Sequence, residues 1–441
     1  MACALVAPAV FAAPPRPGGA FAPASSIASF GNADLGELLN SAPELTIAGE
    51  RLHVGLLRRF YARHGFEPVW TSRPAQAASL TNAVLSAGDQ GLTPELFHAN
   101  LLRSAATLSP LERELLLSDA FLSYADALAR GVMPVERRRD DETLTPGPID
   151  VAAALDDAIA SAAPEAVIGS LAPTTPTYRL LREALQNLRS APTATGRVRE
   201  IEVNLERERW LPRQLPPDRV WVNVADERLV LYRDDRPVFS TKVIVGMDER
   251  RNQSPEFETT INGLWFNPPW NIPADIAAKE IMPKAKRDPN YLALHHIVML
   301  PDGGLQQVAG PYSALGQLMF NMRNRFDVYL HDTPSKNLFS RDDRRVSHGC
   351  IRVENLRDLA ALLMQQPAEA IDQAIETRDT TYSTLPQAVP VFVVYETAFA
   401  DADDRLQFRR DVYGRDAEIW QYLDPQQRPM AEREAFGQRG G

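Results

Sequence analysis

Of the two cysteines in this sequence, Cys350 stands in a setting suited to chemistry. It closes the run Ser347-His348-Gly349-Cys350 and is followed by Ile351 and Arg352. A histidine, His331, ends the alternating apolar run Val328-Tyr329-Leu330-His331, 19 residues earlier. A thiol, a base within hydrogen-bond reach and amide donors for an oxyanion are the parts of nucleophilic acyl chemistry. The plainer reading of a lone cysteine is a small buried hydrophobe. Three features oppose it here. The local residues are polar rather than apolar. Arg344, Arg345 and Arg352 flank the thiol, and nearby positive charge lowers a thiol's pKa from about 8.5 toward the reactive range. A helical pattern begins at Glu354-Asn355-Leu356, so the Gly349-Cys350 step could present backbone N–H groups at a helix start. Asp332, beside His331, is a candidate to orient the imidazole.

The Ser-His-Gly-Cys-x-Arg stretch with its upstream histidine resembles the catalytic motif of the L,D-transpeptidases of bacterial cell walls, the YkuD domain. Tyr329-Leu330-His331-Asp332-Thr333-Pro334 and Leu338-Phe339-Ser340-Arg341 look like the large YcbB-type branch, and the likeness runs over about residues 35–425. The resemblance implies Cys350 as nucleophile and His331 as its base. It implies an oxyanion hole from the amides of Gly349 and Cys350 with the Tyr329 hydroxyl. Arg352 would hold a substrate carboxylate, and Ser347, His348 and Trp270 would line the substrate site. The implied partners are peptidoglycan stem peptides and, as inhibitors, carbapenem-type β-lactams; no cofactor is implied. The implied reaction is acyl transfer from a tetrapeptide stem to the side-chain amine of an acceptor stem, giving a 3→3 or 1→3 crosslink. Water as acceptor gives an L,D-carboxypeptidase, and a protein lysine gives a wall-anchoring transferase. The rivals of another class are a non-catalytic wall-binding scaffold and a cytosolic thiol protease. A missing pocket near Cys350, or a His331 ring aimed away from it, favours the binding protein.

At 441 residues the chain has room for two or three domains with ample core. A net charge of −10 argues against a general nucleic-acid binder, whose footprint is basic. Residues 1–13 read as the hydrophobic region of an export signal, with a small-residue cleavage site at Val10-Phe11-Ala12. No Lys or Arg precedes it, so the signal is atypical or the start lies too far downstream. Cys3 falls inside this segment, which leaves Cys350 as a lone thiol in a periplasmic protein. No other run approaches the roughly 18 apolar residues of a membrane span.

The elements that must position the motif follow in order. Residues 14–34, rich in Pro, Gly, Ala and Ser, form a flexible spacer. Residues 35–190 read as an all-helical scaffold domain. Leu52, Leu56, Leu57, Phe60 and Tyr61 recur at helical spacing and stop before Gly65. Thr93-Pro94 caps one helix, and Ser109-Pro110 with Glu112 forms a capping box for another that ends at Gly131. Trp70 and its aromatic neighbours anchor helices. No grouped metal ligands are apparent, so His53, His64 and His98 read as core or surface histidines, and the pair His295-His296 lacks companions. Ser190 to Glu202 reads as a linker, too short for the wall-binding module that commonly interrupts this scaffold in YcbB-type proteins. From Val220 the period becomes two. The fold class is therefore α+β. The helical domain is followed by a mainly antiparallel β-sandwich or barrel over 203–400, with 274–325 as an irregular capping insertion. Residues 401–441 form a tail that packs back on the scaffold.

Overall fold

The computed structural model describes residues 34–189 and 195–426, together with the backbone of a two-residue strand at 25–26. The expected export segment, Cys3, nearly all of the spacer and the last part of the tail lie outside the described residues. No helix among the described residues is long and apolar enough to cross a membrane.

A short ladder opens the chain: β1 (Ser25–Ser26), β2 (Leu45–Ile47) and β3 (Glu50–Arg51). Around it stand α1 (Leu35–Ser41), α2 (Val54–Arg63), α3 (Pro74–Leu85), α4 (Ala99–Arg103) and α5 (Pro110–Arg130). Helix α5 is the axis of this domain. Ser109 and Glu112 form the expected capping box, Pro110 sits where its missing N–H costs nothing, and Gly131 ends the helix at φ +85°. Every residue from Glu114 to Ala129 is buried, the signature of a helix covered on all sides. Its buried Glu114 is satisfied by the amides of Val69 at 2.5 Å and Trp70 at 3.1 Å and by the Tyr61 hydroxyl at 2.9 Å. Helices α6 (Val151–Ala160), α7 (Pro164–Gly169) and α8 (Pro176–Leu188) complete the bundle. Thr93 does not cap its turn; its hydroxyl donates to the Leu423 carbonyl in the tail at 2.7 Å.

Two expected boundaries move. Most of the expected linker is helical: α9 (Thr195–Glu208) buries Ile201, Val203 and Leu205 in the helical core, with Trp210 behind them. Residues 203–211 therefore belong to the scaffold, and the sheet starts at β4 (Arg219–Asn223). The expected cap also ends early. Leu318, Phe320 and Met322 alternate inward along a strand, so β11 (Leu318–Met322) is part of the sheet.

With β5 (Arg228–Arg233), β6 (Arg236–Gly246), β7 (Phe257–Phe266), β12 (Leu330–His331), β13 (Arg345–Ser347), β14 (Ile351–Val353) and β15 (Thr381–Val394), the sheet has nine strands. Their order is β13-β6-β14-β12-β11-β7-β15-β4-β5, and β5 also pairs with β6. That extra pairing closes the run from β6 to β5 into a barrel, with β13 added alongside β6. Most pairs are antiparallel, whereas β12–β14, β13–β6 and β15–β4 are parallel. The cap is ordered: β8 (Trp270–Ile272), β9 (Ile297–Met299) and β10 (Leu305–Gln307) form a small sheet under helical segments α10 (Ala274–Ile276), α11 (Met282–Arg287) and α12 (Tyr291–Leu294). Helices α13 (Leu356–Met364) and α14 (Ala368–Glu376) follow the site. In the tail, β16 (Ala398–Ala400) and β17 (Leu406–Phe408) lead to α15 (Arg415–Leu423), whose Ile419 and Leu423 sit in the helical core.

Candidate active site

The register of β12 and β14 builds the site. The strands run parallel, with Leu330 opposite Ile351 and His331 opposite Arg352. The Ile351 amide donates to the Tyr329 carbonyl at 3.0 Å, which carries the pairing back to Cys350. Leu330 and Ile351 are fully buried in the barrel core. Side chains alternate along a strand, so their neighbours Tyr329, His331, Cys350 and Arg352 all take the opposite face. Two residues from each strand thus form a quartet, with Cys350 and His331 on its diagonal.

His331 is 4% exposed. Its Nδ1 lies 2.6 Å from the Asp332 carbonyl, which assigns the proton to Nδ1 and leaves Nε2 as the basic nitrogen. The expected role of Asp332 thus passes to its backbone, because its carboxylate binds Lys336 at 2.6 Å instead. Burial, and then the charge of Arg352, push the imidazole down to about 4, against the opposing pull of the Asp332 and Leu315 carbonyls. At neutral pH it is an uncharged base. The Cys350 sulfur makes no hydrogen bond to the ring; it faces the Asp327 carbonyl at 3.7 Å.

The charge expected around the thiol is largely spent elsewhere. Arg344 is tied to Glu227 at 3.2 Å and to the Val243 carbonyl at 3.1 Å. Arg345 pairs with Asp343 at 2.6 Å. Burial outweighs the remaining help from the Tyr329 amide and Arg352, so the thiol is pushed up rather than down. Among the described residues Arg352 makes no ion pair, and its Nε is buried without a hydrogen-bond partner there.

Cys350 enters a strand, not a helix, which corrects the expected helix start. Gly349 takes φ +111°, a conformation side chains resist. Its amide donates to Ser347 Oγ at 3.1 Å, so it is not free to serve an oxyanion. Ser347 is 1% exposed, and its hydroxyl donates to the Cys350 carbonyl at 2.6 Å. It braces the turn and cannot meet a substrate. The Cys350 amide has no partner among the described residues. The Tyr329 phenol is pushed up by burial and then by the charges of Asp327 and Cys350.

His348 is exposed, its Nε2 2.6 Å from Glu280 Oε1 in the cap. Trp270 lies on β8, opposite Gln307, and packs half-buried on the cap's core of Ile272, Ile281, Ile297 and Leu305. A cleft of about 290 Å³ opens beside Gly349, lined in part by Arg139, Gln253, Phe326, Val328 and His348. Ser254, Glu280 and Arg415 carry no local motif and escaped the sequence reading. His53 and His98 are buried in the scaffold, as core histidines, and folding gathers them beside Asp119.

Residues 217–381 match the L,D-transpeptidase catalytic domain family (YkuD). Residues 55–185 match the Scaffold domain family. The two matches follow one another along the chain, the Scaffold match over the helical bundle and the catalytic-domain match over the barrel. A curated Haemophilus influenzae protein assigned the L,D-transpeptidase name is 30% identical over 275 residues, 57% of this chain and 55% of that protein. The chain spans about half the length of this relative. Among solved structures, an L,D-transpeptidase from Mycobacterium smegmatis is 14% identical, covering 40% of this chain and 58% of that one at a TM-score of 0.23. The ertapenem-acylated catalytic domain from E. faecium is 11% identical, covering 41% and 99% at a TM-score of 0.22.

Proposed function

We propose that this chain is a peptidoglycan L,D-transpeptidase whose nucleophile is Cys350 and whose base is His331. The observation that carries the reading is the β12–β14 register, which puts a thiol, a neutral imidazole and a guanidinium on one face of the region that matches the L,D-transpeptidase catalytic domain family. The reaction requires the Cys350 sulfur and His331 Nε2 to meet, and catalytic contacts of this kind tighten when substrate binds.

In the first step Nε2 takes the thiol proton, and sulfur attacks the carbonyl of the third, diaminoacyl residue of a tetrapeptide stem. The C–S bond forms, the C–N bond to D-alanine breaks, and the imidazolium returns its proton to the leaving amine. In the second step the side-chain amine of an acceptor stem attacks the thioester, the amine proton passes to His331, and thiolate leaves. A sulfur suits both halves, as a good nucleophile and a good leaving group. The Cys350 amide and the Tyr329 hydroxyl are the donors for the oxyanion, and such a donor contributes about 3–4 kcal/mol to the barrier. Arg352, whose Nε has no hydrogen-bond partner among the described residues, takes a stem carboxylate. The product is a 3→3 link, and the place of reaction is the periplasm, where the wall is assembled.

The test is purified enzyme with defined tetrapeptides, read by mass spectrometry. Wild type yields a mass of the acyl-enzyme, a crosslinked dimer and a carbapenem adduct at Cys350; Cys350→Ala yields none of these. Activity surviving in Cys350→Ala ends this reading.

A further inference from the structure

In the scaffold, far along the sequence from the cysteine, four side chains converge. Glu50 comes from β3, His53 from the residue before α2, His98 from the joint before α4, and Asp119 from the middle of α5. His53, His98 and Asp119 are all buried, at 3%, 5% and 0% exposure. His53 Nδ1 lies 3.0 Å and His98 Nε2 lies 2.8 Å from the same oxygen, Asp119 Oδ2. One donor atom from each of the three falls within 4.8 Å of the others.

The outer contacts match what a metal site needs. Ligating histidines present one nitrogen to the ion and give the other N–H to a carboxylate or carbonyl, and ligating carboxylates are themselves hydrogen-bonded. His98 Nδ1 is 2.6 Å from Glu50 Oε2. The spare oxygen of Asp119, Oδ1, accepts from the His53 amide at 2.7 Å. His98 holds a left-handed backbone at φ +61°, unusual for a side chain other than glycine, and this aims its ring into the cluster. In a tetrahedral site with bonds near 2.0–2.1 Å, ligand atoms stand about 3.3 Å apart, so the two N···O contacts need open by only a few tenths of an ångström.

We propose that His53, His98 and Asp119 form a site for a first-row divalent transition metal in the Scaffold domain, with Glu50 as the outer partner of His98. Two imidazoles and one carboxylate suit zinc and its neighbours rather than magnesium or calcium, which take all-oxygen sets. Glu50, with its side chain 36% exposed, marks the side of entry. The ion joins three segments that are separated along the chain, and its role is to staple the scaffold.

The test uses the full chain, stripped with chelator, dialysed, and given zinc chloride or cobalt chloride. Wild type retains about one zinc per chain, melts higher with zinc, and shows visible d–d bands with cobalt, as a low-coordinate nitrogen–oxygen site does. His53→Gln and His98→Gln lose the retained zinc and the cobalt bands. Glu50→Gln, at the rim and so safe for folding, binds zinc about 10–100-fold more weakly. His64→Gln, whose ring pairs with Asp156 at 2.8 Å outside the cluster, binds as wild type does. Wild type that retains no more zinc than His53→Gln, or cobalt-treated wild type without d–d bands, overturns the proposal. Equal zinc affinity in Glu50→Gln overturns the part given to Glu50.

Discussion

Ser254 Oγ donates to the Gly349 carbonyl at 2.8 Å while accepting from the Gly246 amide at 3.0 Å. The turn that carries the thiol is thereby pinned to the end of β6, and Tyr413 of the tail closes the same knot by donating to the Gly246 carbonyl at 2.5 Å. Ser254→Ala leaves two buried backbone groups without a partner, each worth about 1–3 kcal/mol. Urea unfolding is expected to show a loss in that range, with slower carbapenem acylation of Cys350. A variant with wild-type stability and acylation would remove Ser254 from the account.

His331 contributes a stability term with a defined sign. Its folded pKa of about 4 lies below the unfolded value near 6.5, so between those values the unfolded chain binds more protons. Stability rises with pH across that window. The contribution is fully present above about 6.5 and is lost as pH falls toward 4, to a total of about 3 kcal/mol. His331→Gln should therefore flatten the stability profile between those limits relative to wild type. Parallel profiles for the two proteins would contradict it.

The cap is strapped to the motif by one half-exposed pair, His348 and Glu280. Glu280 sits in a π-turn, Ala277–Ile281, of the kind that often marks functional segments. Exposed pairs contribute about 0–1 kcal/mol, so Glu280→Gln should barely move the melting temperature. It should instead raise hydrogen exchange across residues 274–294. Unchanged exchange there would show that the pair does not hold the cap.

Arg415 joins all three parts of the chain. It is 0% exposed, with Nη1 2.7 Å from Glu256 of the barrel, and Nη2 3.1 Å from Asp141 of the scaffold and 3.0 Å from the Ser254 carbonyl. Removing one partner of a buried pair strands the other charge and costs about 3–5 kcal/mol. Glu142, beside Glu256, is already pushed up to about 7 by burial and by that neighbour. Arg415→Met should lose stability on the scale of a broken buried pair in denaturant unfolding. A loss within experimental error would mean that the tie between tail, scaffold and barrel lies elsewhere.

What the sequence by itself determined was everything written in neighbouring residues. The α5 capping box, the alternation that makes β12, and the Ser-His-Gly-Cys run are local patterns, because caps and strands are decided within a few residues. Helix α9 and strand β11 were hidden by expectations about linker and cap length, although Leu318, Phe320 and Met322 carried the period of a strand. Only the tertiary structure decided the thiol's charge environment. Arg344 and Arg345 adjoin the motif in sequence yet spend themselves on Glu227 and Asp343, while burial raises the thiol. Only it brought Ser254, Glu280 and Arg415 to the site, or His53, His98 and Asp119 to one point. Hydrogen bonds and charges act over a few ångströms of space, and distance along a chain does not reveal which side chains will share them.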